Sequence, residues 1–402
     1  MFDFTSITSI NTTRLINPRD IFSSLTNRRY ERLRAEQVEV LRKWFDRRNE
    51  QRDFAIQMNT GSGKTIVGLL IALSGMRELE KPSVVLVPNK YLVQQTLKEA
   101  LNLGIHATDN AENIDFRSGD AILVTTVHKM FNGKNVFSSS KHLLNGNFGT
   151  IIIDDAHSST AIVQQQFSIT FPNTHEAYKD LIALFSHDLE KQNIGQFIDL
   201  SNNTGGVSFL PVPIDAIHQK RNELISLLSR VISNSNGNDP SYFSYPLLSE
   251  HPELLTITFS SKNVEISPVL PEIRKISAFD HADRRVFLSA TYLDCDDLIK
   301  VFDIDLSPVK NKSGKRYSTL ISPDSASDCG DRLIIPLSTI DSRLNNFDVA
   351  NLIQNLRDTK DQLTNLPINI SIIVPSNNRA EFWKETIGAH LLTMIAILQI
   401  MT

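Results

Sequence analysis

Residues 54–65 read Phe-Ala-Ile-Gln-Met-Asn-Thr-Gly-Ser-Gly-Lys-Thr. The apolar run at the start predicts a buried strand, and Thr65 to Met76 has the pattern of a helix. Between them, backbone N–H groups can wrap a phosphate only where no side chain intrudes, which explains Gly61 and Gly63. The stretch therefore predicts a phosphate-binding loop, although the strict pattern has glycine where this chain has Met58.

Further short apolar runs follow the first strand and alternate with helical stretches. We predict central strands at Val84 to Val87, Ile122 to Thr125, Ile151 to Ile153 and Val286 to Leu288. Continuous apolar runs are typical of parallel strands that are buried on both faces. Ligands bind beyond the carboxyl ends of such strands. We therefore predict an α/β fold with a parallel sheet and the chemistry along one edge.

Two adjacent carboxylates, Asp154 and Asp155, follow one of these strands. Because like charges at a buried strand end repel, a metal ion would offset their cost. Asp154 would then hold Mg²⁺ together with the hydroxyl of Thr65, and Asp155 would orient or deprotonate the attacking water. For the pair alone, an acidic loop without chemistry is an equal alternative. We expect Lys64 and Asp154 to protrude from adjacent strands and face each other across a triphosphate.

Three segments occur in the order of an ATP-driven motor. Met58 to Thr65, Asp154-Asp155-Ala156-His157 and Ser289-Ala290-Thr291 resemble motifs I, II and III of superfamily-two DEAD/DEAH-box helicases, in the DExH-like branch. The resemblance implies a RecA-like P-loop NTPase domain that uses ATP and Mg²⁺. Its implied ATP-binding residues are Arg34, Gln37, Asn59, Thr60, Gly61, Ser62, Gly63, Lys64 and Thr65.

The same resemblance assigns further roles. Lys64, Asp155 and His157 would be catalytic, Thr65 and Asp154 would hold the metal, and Ser289, Ala290 and Thr291 would couple nucleotide state to interdomain geometry. Gln37 would contact adenine. The family usually has Glu at the position of Asp155, so hydrolysis here is expected to be slower.

Two loops resemble motifs Ia and Ib, which hold the phosphates of a nucleic-acid strand in the family. The implied contacts are Pro88, Asn89, Lys90, Tyr91, Thr125, Thr126 and His128. Backbone and hydroxyl contacts of this kind bind phosphates without reading sequence, so the partner is DNA or RNA. The 41 basic and 45 acidic residues give a net charge of -4, so any such contact must be local.

A long stretch separates motif II from motif III and predicts an insertion at residues 166–275. Helical spacing is present over His175 to Gln192 and Ile214 to Ser233, and Leu255 to Phe259 with Val264 to Ile266 reads as a hairpin. The layout resembles that of iron-sulfur helicases, without their cluster-binding cysteines. The insertion is also a candidate site for protein partners.

We predict the following division: an N-terminal extension (1–30), a first RecA-like domain (31–165), the insertion (166–275), the completion of that domain (276–300), a linker (301–345) and the start of a second RecA-like domain (346–402). Ile370 to Val374 with Pro375-Ser376-Asn377-Asn378 resembles motif IV. Motifs V and VI, including the arginine finger, have no equivalent. We therefore expect a truncated helicase with weak turnover, and a helix over Leu391 to Leu398.

Several alternatives follow from these observations. The chain is an active helicase or translocase, or an ATP- and nucleic-acid-binding module or inactive fragment without helicase activity, for example as a subunit of a DNA-defence or restriction complex. A P-loop kinase or transporter ATPase would not need Gln37, Pro88 or Ser289. Apolar runs fall short of the roughly 20 residues that span a bilayer, so no membrane contact is expected. With Cys295 and Cys329 as the two cysteines, a cytoplasmic location is expected.

Overall fold

A computed structural model describes residues 14–26, 28–135, 137, 147–202, 209–234, 241–291, 296–306, 309–310, 316–317 and 320–324, and parts of the C-terminal region. The chain forms two compact units, Met1–Cys329 and Gly330–Thr402. No helix in the described part is long and apolar enough to cross a membrane. The predicted segment Pro375-Ser376-Asn377-Asn378 and both cysteines lie outside the described residues.

The strands, in chain order, are β1 (Asp53–Gln57), β2 (Ser83–Val87), β3 (Ala107–Thr108), β4 (Ile122–Thr126), β5 (Thr150–Asp154), β6 (Ile169–Pro172), β7 (Phe209–Pro211), β8 (Leu255–Ser260), β9 (Asn263–Pro268), β10 (Arg284–Ser289), β11 (Val309–Lys310), β12 (Arg316–Tyr317), β13 (Leu320–Ile321), β14 (Ile370–Ile373), β15 (His390–Leu391) and β16 (Ile397–Ile400).

The helices are α1 (Pro18–Ser24), α2 (Ala35–Arg47), α3 (Lys64–Leu79), α4 (Lys90–Leu103), α5 (Ile114–Arg117), α6 (Val127–Met130), α7 (Ala156–Gln166), α8 (Glu176–Gln192), α9 (Ile194–Asn202), α10 (Ile214–Gln219), α11 (Arg221–Asn234), α12 (Ser241–Leu248), α13 (Ser277–Asp280) and α14 (Asp296–Phe302). Short 3₁₀ turns precede β8 and α13.

Seven strands form one parallel sheet in the order β13-β1-β10-β5-β2-β4-β3. The predicted α/β class and its parallel sheet are confirmed. β3 and β13 were not predicted, because two residues are too few to show an apolar pattern. β10 lies between β1 and β5, so the two strands that carry the phosphate-binding loop and the paired acids are not neighbours.

Alternate residues of the central strands face two separate hydrophobic cores. Val85 and Ile152 pack into one core, which also contains most of the apolar residues of α3. Val84 and Ile151 belong to the other core, with Phe302 of α14. Since side chains alternate across a strand, both faces of the sheet are covered. The carboxyl edge is left for polar side chains.

Two glycines let α3 lie close against the sheet. A Cβ at Gly68 would lie 2.8 Å from Leu288 Cδ1 and 3.3 Å from Ile152 Cγ2. A Cβ at Gly75 would overlap the hydroxyl of Thr150. The helix that begins at the phosphate-binding loop of β1 therefore reaches across β10 to β5.

The stretch between motifs II and III contains a four-stranded antiparallel sheet in the order β6-β9-β8-β7. It has its own core, formed with α8 to α12. The hairpin and the first helix are confirmed. The predicted single helix over Ile214 to Ser233 is wrong, because the chain breaks between α10 and α11 at Lys220, whose Nζ donates to Leu184 O and Asp188 Oδ2.

In the second unit, the strands of the described residues form an antiparallel sheet in the order β14-β16-β15. The predicted strand at Ile370 is confirmed. The predicted helix over Leu391 to Leu398 is wrong, because Leu391 ends β15 and Leu398 lies in β16. Periodicity alone does not separate a strand from a helix in so short an apolar run.

A buried ion pair joins β1 and β10 at the edge opposite the predicted site. Arg285 Nε and Nη2 donate to the two carboxylate oxygens of Asp53 at 2.6 and 2.7 Å. Both side chains are buried, and the guanidinium lies 4.7 Å from the ring centroid of Phe279. Asp305 N also donates to Asp53. Sequence patterns gave no indication of this pair.

We expect Arg285→Met to destabilise the first unit by about 3–5 kcal/mol, because it leaves the Asp53 carboxylate buried without its cation. Urea unfolding measures this loss. Arg230→Met is the matched control, since Arg230 pairs with Asp180 on the surface and should cost less than about 1 kcal/mol. Equal midpoints for the two variants would contradict a structural role for the buried pair.

Candidate functional site

The loop between β1 and α3 closes on itself before the helix begins. Gly61 and Gly63 have φ values of +84° and +85°, a left-handed conformation that glycine adopts without strain. Ser62 donates to Asn59 O through its backbone N at 3.1 Å and through its hydroxyl at 2.6 Å. The loop delivers the amino-terminal N–H groups of a 16-residue helix to the sheet edge, which is a favourable position for an anion.

Lys64 lies at the first position of α3, with its side chain over the loop. Its Nζ donates to Met58 O at 3.2 Å and to Asn59 O at 3.3 Å. The ammonium group is therefore held at the strand end, beside the backbone that curves around the candidate phosphate position. Thr60 of the same turn is exposed.

Two residues at the start of α2 brace the loop. Gln37 is buried, and its Nε2 donates to Ser62 O at 3.0 Å while its Oε1 accepts from Arg34 N at 2.9 Å. Arg34 Nη1 donates to Gly61 O at 2.6 Å. Both side chains thus contact the loop backbone. The predicted adenine contact of Gln37 stays a prediction.

The phosphate-binding loop and the paired acids meet at the sheet edge. Thr65 Oγ1 donates to Asp154 Oδ2 at 3.0 Å. The expectation that Lys64 and Asp154 extend from adjacent strands is wrong, because β10 lies between β1 and β5. The close packing of α3 on the sheet carries Thr65 over β10 and brings it to Asp154.

The carboxylate of Asp154 is partly buried and accepts two hydrogen bonds. Its Oδ1 accepts from Asp155 N at 3.0 Å and its Oδ2 from Thr65. Burial raises the pKa of the Asp154 carboxyl above its ordinary value, and the hydrogen bond from Thr65 and the charge of Lys64 offset part of that rise. A dehydrated carboxylate beside a hydroxyl is an oxygen ligand set of the kind that Mg²⁺ prefers, so these residues fit a magnesium site.

Asp155 leaves the strand in an unusual conformation. Its φ of +53° and ψ of +58° are left-handed, which turns the chain sharply from β5 into α7. Ser158 Oγ donates to Asp155 Oδ2 at 2.7 Å and fixes the carboxylate. His157, two residues further on, is exposed. The role of Ser158 was not predicted, since a serine directly after a motif carries no distinguishing signal.

The segment after β10 forms a small turn between the loop and the acids. Ser289 is buried, and its Oγ contacts both Thr291 O at 3.2 Å and Thr291 N at 3.4 Å. Ser289 O accepts from Met58 N at 3.0 Å. Ala290 and Thr291 follow at the same edge, with Thr291 exposed. The third motif thus lies beside the first and is joined to it by a backbone hydrogen bond.

The residues predicted to bind a nucleic-acid strand lie at the ends of β2 and β4. This is the same edge of the sheet, but beyond β5. Asn89 uses its side chain to cap α4, accepting from Leu92 N at 3.0 Å. Pro88 is buried, while Lys90 and Tyr91 are exposed. Thr125 and Thr126 are buried, and His128 is exposed on α6. These residues therefore form a separate group beside the loop and the acids.

Comparison with known protein families gives one match to this region. Residues 31–190 match the family described as "Type III restriction enzyme, res subunit". The matched span covers the phosphate-binding loop, the paired acids and the strand ends between them. No curated protein matches this chain.

Solved structures with some likeness include one titled "Structure of S. tokodaii Xpd4", at 16% identity and a TM-score of 0.43, covering 63% of this chain and 57% of that chain. Another, titled "XPD_Helicase", has 14% identity and a TM-score of 0.42, covering 69% and 61%. A third, "XPD_APO", has 16% identity and a TM-score of 0.40, covering 65% and 55%. This chain thus spans less than two thirds of the length of each.

We expect Asp154→Asn to raise the melting temperature of the ligand-free protein, because it removes a dehydrated charge while the Thr65 hydroxyl can reverse its hydrogen bond and accept from the new amide. Thr65→Val should lower stability by about 1–3 kcal/mol, since it leaves the partly buried Asp154 carboxylate short of a donor. Thermal unfolding measures both.

Thr65→Ser retains the hydroxyl and should restore the stability lost in Thr65→Val. Asp120→Asn, at an exposed position, controls for the general effect of removing an acidic charge and should leave the melting temperature unchanged. Destabilisation by Asp154→Asn as large as that of Thr65→Val would show that the carboxylate charge itself supports the fold.

Proposed function

We propose that this protein binds ATP with Mg²⁺ and hydrolyses it, because its phosphate-binding loop and paired acids lie within the span that matches the family described as "Type III restriction enzyme, res subunit". The energy released moves the protein along a strand of DNA or RNA, or unwinds a duplex. The observation that carries this proposal is the 3.0 Å hydrogen bond between Thr65 and Asp154. It unites a phosphate-binding loop with a carboxylate pair at one sheet edge.

The loop and α3 bind the triphosphate. Backbone N–H groups at Gly61 to Lys64 face the phosphate oxygens, and the dipole of α3 adds to their attraction. Lys64 exchanges its two carbonyl acceptors, Met58 O and Asn59 O, for the β- and γ-phosphates. Arg34 and Gln37 keep the loop in shape from outside.

Thr65 and Asp154 are the residues that would hold Mg²⁺. When bound, the ion neutralises charge that develops on the phosphate oxygens during transfer. Asp154 is suited to this role because its carboxylate is partly buried and lies close to the positive charge of Lys64. The Thr65 hydroxyl is free to turn its lone pairs outward once it releases Asp154.

Asp155 positions the attacking water and accepts its proton. Asp155 lies at the left-handed turn that ends β5, and the hydrogen bond from Ser158 holds its carboxylate. His157 and the turn formed by Ser289 and Thr291 lie next to the nucleotide side of the edge. The backbone bond from Met58 N to Ser289 O links that turn directly to the phosphate-binding loop.

The ends of β2 and β4 hold the nucleic-acid backbone. Lys90 and Tyr91 are exposed beyond β2, and His128 is exposed beyond β4. Contacts with phosphates alone do not distinguish DNA from RNA, so both are candidate partners. The nucleic-acid strand would lie along the same edge of the sheet as the nucleotide, separated from it by the end of β5.

We expect Lys64→Ala to abolish the increase in melting temperature that ATP and Mg²⁺ produce, because the loop loses its cation for the phosphates. Lys179→Ala, an exposed lysine on α8, is the matched control and should retain it. Asp155→Asn should retain ATP binding but lose phosphate release. A wild-type protein whose melting temperature does not respond to ATP and Mg²⁺ would refute nucleotide binding.

Steady-state phosphate release with and without single-stranded oligonucleotides tests the motor itself. Stimulation by the strand, lost in Lys64→Ala and Asp155→Asn, is the result expected of a translocase. Binding of ATP and strand with no phosphate release would instead identify the chain as a nucleotide-dependent binding module.

A further inference from the structure

Helix α12 belongs to two hydrophobic cores at once. Leu247 is buried in the sheet core that contains Val84 and Phe131, whereas its neighbour Leu248 is buried in the core of the antiparallel sheet. Lys275 Nζ also donates to Leu247 O at 3.0 Å. The helix is therefore fixed to both substructures, and its outward face has a defined position relative to the parallel sheet.

The loop after α6 is joined directly to this helix. Gly133 N donates to Phe243 O at 2.8 Å. A Cβ at Gly133 would lie 2.8 Å from both Phe243 O and Pro246 Cβ, so only glycine permits this approach. Since α6 follows β4 without a break, α12 lies beside the strand end where nucleic-acid phosphates are proposed to bind.

The exposed surface at this junction is aromatic and basic. Phe243 is 43% exposed. Its ring centroid lies 5.4 Å from that of Tyr242, at 90°. Lys134 Nζ lies 3.3 Å from the Tyr242 ring centroid. A cavity of about 380 Å³ lies next to them, lined in part by Lys134, Tyr242 and Tyr245. Of these rings, Phe243 is exposed and Tyr242 is half-buried, and an exposed aromatic ring near a cation forms the surface that unpaired bases stack on.

The charge of the neighbouring sequence favours a polyanion. Between Asp120 and Asp154 the sequence has no Asp or Glu, and α12 has none. Lys129 is exposed on α6, and Lys134 is exposed in the loop after α6, which is hydrogen-bonded to α12. In a chain with a net charge of -4, this is a local positive region of the kind that strand binding requires.

We propose that Phe243 on α12 is a base-stacking residue, which binds an unpaired base of the single strand whose backbone lies at the end of β4. Lys134 contacts the adjoining phosphate. This inference rests on the proposed function, since it requires that a strand be bound at that edge. It assigns to the segment between motifs II and III a direct contact with the nucleic acid.

Fluorescence anisotropy with labelled single-stranded oligonucleotides of DNA and RNA tests the assignment on the full chain. We expect Phe243→Ala to weaken binding by about 5- to 100-fold, the range for loss of one base-aromatic stack. Phe243→Trp should restore binding, because a larger ring still stacks. Phe209→Ala is the matched control, since Phe209 is 61% exposed on β7 and should bind as the wild type does.

An oligonucleotide with abasic sites separates stacking from a structural effect. On that probe, wild type and Phe243→Ala should bind equally, because no base is present to stack. Binding of normal oligonucleotides by Phe243→Ala as tightly as by the wild type would overturn the assignment and leave the proposed function intact. A wild-type protein that binds no strand would overturn both, while the response of its melting temperature to ATP and Mg²⁺ would still test nucleotide binding separately.

Discussion

The contact between Thr65 and Asp154 is the constraint on which the rest of the site depends. With β10 between β1 and β5, the backbones that carry these two residues are two strand spacings apart, or about 10 Å. A side chain cannot cover that distance from a strand end. The distance is covered by α3, whose first turn lies over β10 because Gly68 and Gly75 allow it to approach the sheet.

The intervening strand also determines where the third motif lies. Because β10 separates the phosphate-binding loop from the acids, its carboxyl end brings Ser289 between them, within a backbone hydrogen bond of Met58. A structural change in the phosphate-binding loop or in the acidic pair therefore acts first on the turn at Ser289, which lies between them. At the opposite edge the Arg285–Asp53 pair fixes the register of β1 against β10. The same two strands are thus held rigidly at one end and carry polar side chains at the other.

The sequence predicted the parallel sheet and the groups at its edge, because buried strands are continuous apolar runs and each polar motif follows one directly. It did not predict the strand order, since pairing between β1 and β10 joins residues that are far apart in the chain. Nor did it predict the hydrogen bond from Ser158 or the left-handed backbone of Asp155, because both depend on the geometry of the turn and not on composition. The helix predicted over Leu391 to Leu398 was wrong for a different reason, because a short apolar run fits both the helical and the strand period.

Helix α12 connects the inserted segment to the end of β4, where the nucleic-acid strand is proposed to bind. Leu247 and Leu248 are consecutive, so the two cores they enter cannot move apart at this point without exposing one of them. Exposing a leucine costs about 1.5–3 kcal/mol, and the bond from Gly133 to Phe243 would also be lost. A displacement of the loop after α6 is therefore transmitted to α12 as a rigid movement.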